Sequence, residues 1–105
     1  MARNYSLNTS EQGESRWLRM DTSGKAGYNF FILVDLEDDG GSVVDVEFAI
    51  QDTLDGSTRA IQHHILKNII VSTASRLNVP ITGIRLNVRK MGTGTVNLRV
   101  VQHVD

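Results

Sequence analysis

Hydrophobic residues alternate with polar ones near the end of the chain, and this rhythm constrains the fold more than any other feature. Ile84, Leu86 and Val88 alternate with polar residues, and the same rhythm returns at 96–101 after a glycine-rich turn at 92–95. Successive side chains of a strand point to opposite faces, so each run predicts a strand with one buried face. The short turn between the runs predicts that they form a β-hairpin.

A second pair of strands is predicted in the first half of the chain. Residues 28–36 form the most hydrophobic run, and residues 43–51 alternate again after an acidic turn. We expect these two strands to form another hairpin. The run 28–36 is apolar on both faces, because Phe31 and Leu33 occupy the parity opposite its main apolar stripe. This predicts either coverage by loops or a contact with another subunit.

Residues 57–77 allow two interpretations. Ile61, Ile65 and Ile69 have helical spacing, which favours one short helix. The β-branched residues around 69–72 instead favour a long loop that contains a short strand.

Short strands separated by turns predict an all-β fold, an antiparallel β-sandwich of about six to eight strands with a jelly-roll-like arrangement. Residues 1–14 are polar, and we expect them to form a flexible N-terminal arm ahead of a single sandwich domain at 15–105. Deleting the arm is then expected to leave the domain folded.

Composition argues against several classes of protein. The chain has 105 residues, 11 basic and 12 acidic, so the broad positive charge of a nucleic-acid-binding domain is missing. It has no cysteine, and therefore no disulfide or thiolate chemistry. We find no signal-peptide pattern and no apolar run long enough for a membrane-spanning helix, so we expect a soluble protein made in a cytoplasm.

Candidate metal ligands are sparse. His63 and His64 are adjacent and point to opposite sides of a strand, while His103 lies far along the chain. The order Asp35, Glu37, Asp39 and Gly40 is like the opening of a calcium loop, but the twelfth position is Val46 instead of a bidentate glutamate. We predict no metal site and no cofactor.

Catalytic groups are not indicated either. Asp52 and Asp55 flank a turn, and capping of that turn explains them better than acid–base catalysis. No nucleophile-elbow motif is present. We predict no catalytic residue and no enzymatic activity.

Three blocks of the sequence resemble small virion proteins of tailed bacteriophages. They comprise Ser15-Arg16-Trp17, the strand that enters Gln51-Asp52-Thr53-Leu54-Asp55, and Pro80-Ile81-Thr82-Gly83-Ile84-Arg85-Leu86-Asn87-Val88 with its continuation through Gly92-Thr93-Gly94-Thr95-Val96 to Val100-Val101-Gln102. The resemblance spans roughly 15–103 and is weakest at 57–78. It implies a β-sandwich attached to the phage particle, and it favours the loop and strand over the helix.

The resemblance implies a non-enzymatic structural role, most specifically a capsid decoration or cement protein that stabilises the head shell. Its partners would be the major capsid protein or other virion proteins and further copies of itself, with no nucleic acid and no membrane. We predict contacts through Trp17, Phe31, Leu33, Arg85 and Arg99. Two alternatives stay open: a tail, neck or fibre-attachment protein, and a carbohydrate-binding module that uses the loop 52–64.

Overall fold

The computed structural model describes residues 2–20, 26–37, 41–51 and 53–104. In these residues the chain forms nine strands and no helix, so no helix there could cross a membrane. The strands are β1 Ala2–Thr9, β2 Gly13–Glu14, β3 Leu18–Arg19, β4 Ala26–Glu37, β5 Val43–Ala49, β6 Ile61–Gln62, β7 Thr73–Leu77, β8 Gly83–Lys90 and β9 Thr95–Val104.

The strands pair as one long ribbon folded on itself. β5 pairs with β6, β4 with β7, β2 and β3 with β8, and β1 with β9, all antiparallel. The ribbon then rolls up, because β4 also pairs with β9 and β5 also pairs with β8. The same face of the ribbon points inward in both layers of the roll, and the two layers bury it between them.

Two sheets result from this rolling. A four-stranded sheet has the order β1-β9-β4-β7, and a five-stranded sheet has the order β2-β8-β5-β6 with β3 also on β8. This strand order is that of a jelly roll. The predicted all-β antiparallel sandwich is therefore confirmed, with nine strands instead of six to eight because the short segments β2 and β3 both pair with β8.

The core lies between the sheets and follows the alternation of the sequence. Its fully buried members include Phe30 of β4 and Leu86 of β8. Each apolar run contributes every second residue, as the period of a strand requires. The inward-facing residues of the four longest inner strands are Phe30, Ile32, Val34, Val44, Val46, Ile84, Leu86, Val88, Val96, Leu98 and Val100.

Both predicted hairpins are wrong. β8 lies in the five-stranded sheet and β9 in the four-stranded sheet, so residues 91–94 cross between sheets. β4 and β5, the strands before and after the acidic segment, also lie in different sheets, β4 in the four-stranded one and β5 in the five-stranded one. Alternation shows which face of a strand is buried but not which strand lies beside it. A sandwich buries the two apolar faces equally well by stacking the strands in opposite sheets.

The predicted flexible arm is also wrong for most of its length. Residues 2–9 form β1, which pairs with β9 from Ala2 to Thr9, and residues 13–14 form β2. Leu7 is buried in the core, and Tyr5 packs against it. An edge strand needs only one apolar face. The polar residues on the other face of β1 made the segment look like a polar tail in the sequence.

The segment 57–77 contains no helix. It forms β6, an irregular stretch and β7, so the loop-and-strand interpretation is confirmed in kind. The strand lies at 73–77 instead of 69–72. Ile69 makes an isolated bridge to Val44, and both Leu66 and Ile69 insert into the core. Of the residues with helical spacing, Ile69 is buried whereas Ile65 is 54% exposed, so the spacing does not mark one buried face.

Candidate interaction surfaces

The outer face of the four-stranded sheet carries apolar side chains at its centre. Phe31 of β4 lies opposite Val101 of β9 and Arg76 of β7, and Leu33 lies opposite Arg99. Phe31 is 46% exposed, while Leu33 and Val101 are half-buried. These five residues are called the outer patch below.

The outer patch is positively charged. Arg76 and Arg99 are both exposed, and neither side chain has an ion-pair partner among the described residues. Asp35 places a carboxylate on this face, and that carboxylate accepts a hydrogen bond from Ser72 Oγ at 2.9 Å. The overall charge of the chain is −1, so the patch differs in sign from the molecule as a whole. Apolar area with guanidinium groups beside it is typical of protein interfaces.

A second candidate surface lies on the five-stranded sheet, around Trp17. The Arg85 guanidinium carbon lies 4.3 Å from the centre of the indole ring, which is a cation–π contact. Arg85 Nε also donates to Glu47 Oε1 at 2.8 Å, and its other end pairs with Glu14. Asn87 Nδ2 donates to the second oxygen of Glu47 at 3.3 Å. These contacts fix Arg85 over the ring.

Local structure explains why Trp17 lies there. The Ser15 amide donates to the Leu86 carbonyl at 2.8 Å, and the Ser15 hydroxyl accepts from the Leu86 amide at 3.0 Å, so residues 15–17 follow β8 closely. Gly83 leaves space on the outer face: a Cβ at this position would lie 2.6 Å from Leu54 and 3.3 Å from Trp17. The absence of a side chain therefore lets the loop at Leu54 and the indole ring approach the sheet.

An open groove of about 580 Å³ separates Trp17 from the loop at Leu54, Asp55 and Gly56. Trp17 Nε1 is buried and has no hydrogen-bond acceptor among the described residues. Asp55 Oδ1 accepts hydrogen bonds from the amide of Ser57 at 2.8 Å and from its hydroxyl at 2.6 Å. These bonds hold the pKa of Asp55 below its usual value. Asp55 therefore organises its turn, in the way the capping interpretation predicts.

The five predicted contact residues do not form one surface. Phe31, Leu33 and Arg99 share the outer face of the four-stranded sheet, whereas Trp17 and Arg85 lie on the five-stranded sheet. The sequence did not indicate Arg76 or Glu47. Each joins its surface through strand pairing between distant segments. Val101 could have been predicted as a contact residue, because it is an apolar residue on the outward, otherwise polar face of the run 96–101.

His63 is fully buried and acts inside the fold. Its Nδ1 accepts hydrogen bonds from the amides of Ile65 and Leu66, each at 3.0 Å, so the proton lies on Nε2, 3.3 Å from the carbonyl oxygen of Arg76. His64 stacks on it with ring centres 4.8 Å apart, so the prediction that the two rings point to opposite sides of a strand is wrong, because both residues lie beyond the end of β6. Burial lowers the pKa of His63, and the nearby His64 lowers it further, while the Arg76 carbonyl opposes this. The imidazole joins the irregular stretch to β7, while the backbone amide of His63 donates to a carbonyl of β5 at 2.9 Å.

This arrangement predicts a loss of stability in mild acid. The unfolded chain binds a proton at His63 near pH 6.5, whereas the folded chain does so only at lower pH. The unfolded state therefore takes up more protons, and the free energy of unfolding falls as pH drops below 6.5, by at most about 1.4 kcal/mol per pH unit. Urea titrations at pH 7.5, 6.0 and 5.0 measure it.

His63→Gln removes that component, and the exposed His64→Gln serves as the matched control. The difference in unfolding free energy between wild type and His63→Gln should shrink as pH falls. His64→Gln should keep most of the acid dependence of the wild type, because it removes only the smallest of the contributions to the pKa of His63. A constant difference across this range would contradict the role given to His63.

Other candidate chemistry is not brought together. No group of three or more histidine, aspartate or glutamate side chains that could hold a metal occurs in the described parts of the chain. Asp35 of the calcium-like motif bonds to Ser72, and Asp39 lies outside the described residues, as does Asp52. His103 lies on β9, in the opposite sheet from β6 and His63.

Comparisons with known proteins agree with the fold and give no family. No protein-family model matches the sequence, and no curated protein matches it. A subunit of Bacillus endospore appendages, described as a family of disulfide-linked pili, is similar in structure with a TM-score of 0.55 at 7% identity. The match covers 100% of this chain and 88% of that one. At this identity the similarity shows a shared fold only. The strand order and the size of the chain place it among small jelly-roll proteins.

A weaker similarity is to a chain of the Nora virus structure. Its TM-score is 0.47 at 11% identity, and the match covers 98% of this chain but 55% of that one.

Proposed function

We propose that the protein is a non-enzymatic structural subunit of a bacteriophage virion, and specifically a capsid decoration or cement protein. The outer patch carries this proposal. It offers an open, positively charged surface with an exposed aromatic side chain, which fits a protein partner better than a small substrate. The partner would be the major capsid protein or another virion protein, and the protein would act in the virion after synthesis in the host cytoplasm.

The chemistry of the second surface also supports a structural role. Arg85 is committed to two glutamates and the indole ring, and Asp55 is committed to its own turn. His63 is enclosed in the core. Ionisable groups that are satisfied by such contacts are poorly placed to exchange protons with a substrate.

Repeated contacts would explain how so small a domain stabilises a shell. Each copy would bridge neighbouring capsid subunits, and many weak contacts would act together through the lattice. The similar appendage subunit is described as part of a pilus, so a fold of this kind can serve a repeating assembly, which is an analogy of fold only.

Binding to particles tests the proposal directly. Labelled protein is mixed with virus particles that lack it, and the bound fraction is measured by co-sedimentation. Phe31→Ala should weaken binding by about tenfold to a hundredfold, because aromatic residues at the centre of an interface dominate its affinity. Arg99→Glu should also weaken binding, and its effect should be larger at low salt than at high salt. Val79→Ala is the matched control, since Val79 is 43% exposed but lies outside the outer patch. Equal binding of all four proteins would refute the proposed contact.

One observation favours a second candidate, a virion-displayed carbohydrate-binding module. The groove beside Trp17 is bordered by the predicted loop, at Leu54 to Gly56. Arg85 already covers one side of the indole ring, which leaves less aromatic surface for a sugar to stack on. A glycan array probed with wild type and with Trp17→Ala separates the two: binding that depends on Trp17 would support the module.

A further inference from the structure

The two sheets differ in how their edges are built. The five-stranded sheet ends in β2 and β6, which are two residues long each. The four-stranded sheet ends in β7, with five residues, and in β1, with eight. An edge strand presents unpaired backbone groups, and proteins commonly protect such edges with short strands, lysine, proline or bulges.

β1 carries none of these protections. It contains no proline and no lysine, its only charged residue is Arg3, and its pairing with β9 is regular from end to end. Among the described residues β9 is its only partner strand, so its other side is free of strand pairing. A long, regular and nearly uncharged edge is a surface on which another strand can add.

Strand direction identifies which strand would fit. Successive neighbours in the order β1-β9-β4-β7 are all antiparallel, so β1 and β7 run in opposite directions. A second copy placed beside the first in the same orientation therefore brings its β1 antiparallel to β7, and the sheet continues. The faces also agree, since Leu7 and Leu77 both point to the core side while Arg76 points outward with Asn4 and Asn8.

We propose that copies of this chain associate head to tail, with β1 of one copy adding to β7 of the next. The contact is heterologous, so each added copy leaves a further edge free, and the copies extend into a chain, or into a ring where the rotation between copies closes. It is non-covalent, because the sequence has no cysteine. The proposal does not depend on the capsid function and would stand if that function were wrong.

The association is weak in dilute solution. β7 offers five residues for pairing, which is much less area than a stable dimer interface needs. High concentration, or a surface that holds many copies close together, would therefore be required. Sedimentation equilibrium at about 1 mM protein is the measurement suited to such an interaction, and the average mass should rise above the 11.6 kDa of one chain.

Changing the charge on the outward face of β1 shows whether its partner is β7 or another β1, because β7 carries Arg76 on that face. Asn4→Glu/Asn8→Glu places carboxylates beside Arg76 of the next copy and should strengthen association about threefold, the scale of one cross-strand ion pair. Asn4→Lys/Asn8→Lys should weaken association by a similar factor, and adding Arg76→Glu to this variant should restore it. Asn4 and Asn8 are exposed, so we expect the variants to fold, and thermal melts would check this.

Gln62→Lys on β6 is the control, because it alters an exposed edge residue of the other sheet and should leave association unchanged. A wild-type protein that remains monomeric at this concentration would overturn the proposal. So would weakening by the glutamate and lysine variants alike, since like charges repel in a closed β1–β1 dimer. Particle binding that persists in a monomeric protein would leave the capsid proposal intact.

Discussion

Deletion of residues 1–9 is expected to unfold the protein instead of removing a dispensable tail. β1 pairs with β9 along its whole length, and Leu7 is buried in the core. Tyr5 also packs on the core and donates a hydrogen bond at 3.1 Å to Gln102 Oε1, whose residue is fully buried. Without β1, water reaches one side of β9, a strand central to the sheet.

The expected cost exceeds about 4 kcal/mol, since it combines two lost apolar side chains with a weakened buried hydrogen-bond network. The total stability of a small domain is about 5–15 kcal/mol, so the truncated chain should show no cooperative transition, or a greatly lowered one. Circular dichroism during urea titration measures this. Asn8→Ala, an exposed change on the same strand, is the control and should cost little.

A truncated protein with the wild-type midpoint would contradict the strand pairing. It would restore the interpretation of residues 1–14 as an arm that only docks.

Phe30→Ala should destabilise the fold by about 3–5 kcal/mol, the range for truncating a buried aromatic side chain. Phe30 has no exposed surface and is among the largest buried side chains. Its neighbour Phe31 is the matched control, because it has the same chemistry on the opposite face of the same strand. Phe31→Ala should cost less than about 1 kcal/mol in folding while weakening particle binding as described above.

Urea unfolding of the two variants under identical conditions makes the comparison. Similar losses for both variants would show that the outer face is covered in solution, contrary to the exposed outer patch.

The sequence predicted the faces of the strands better than their neighbours. Alternation identified Ile84, Leu86 and Val88 as core residues, because burial has the same period as the strand. It could not show that β8 and β9 lie in different sheets. Two strands bury the same residues whether they are neighbours in one sheet or face each other across two sheets. The jelly-roll class followed from the number and spacing of strands, not from any single turn.

The polar segments were harder to predict. β1 has few apolar residues because an edge strand is buried on one face only, and this made it resemble a tail. His63 sits among apolar residues because its ring accepts backbone hydrogen bonds in the core, an effect that composition does not reveal. Contact residues such as Arg76 depend on pairing between β4 and β7, which are far apart in the chain.

Cryo-electron microscopy of the intact particle is the most direct test of the proposed role. We expect many copies on the head shell, each with Phe31 and Arg99 turned toward the capsid surface. Copies confined to one vertex, or copies bound with the outer patch facing solvent, would contradict the account.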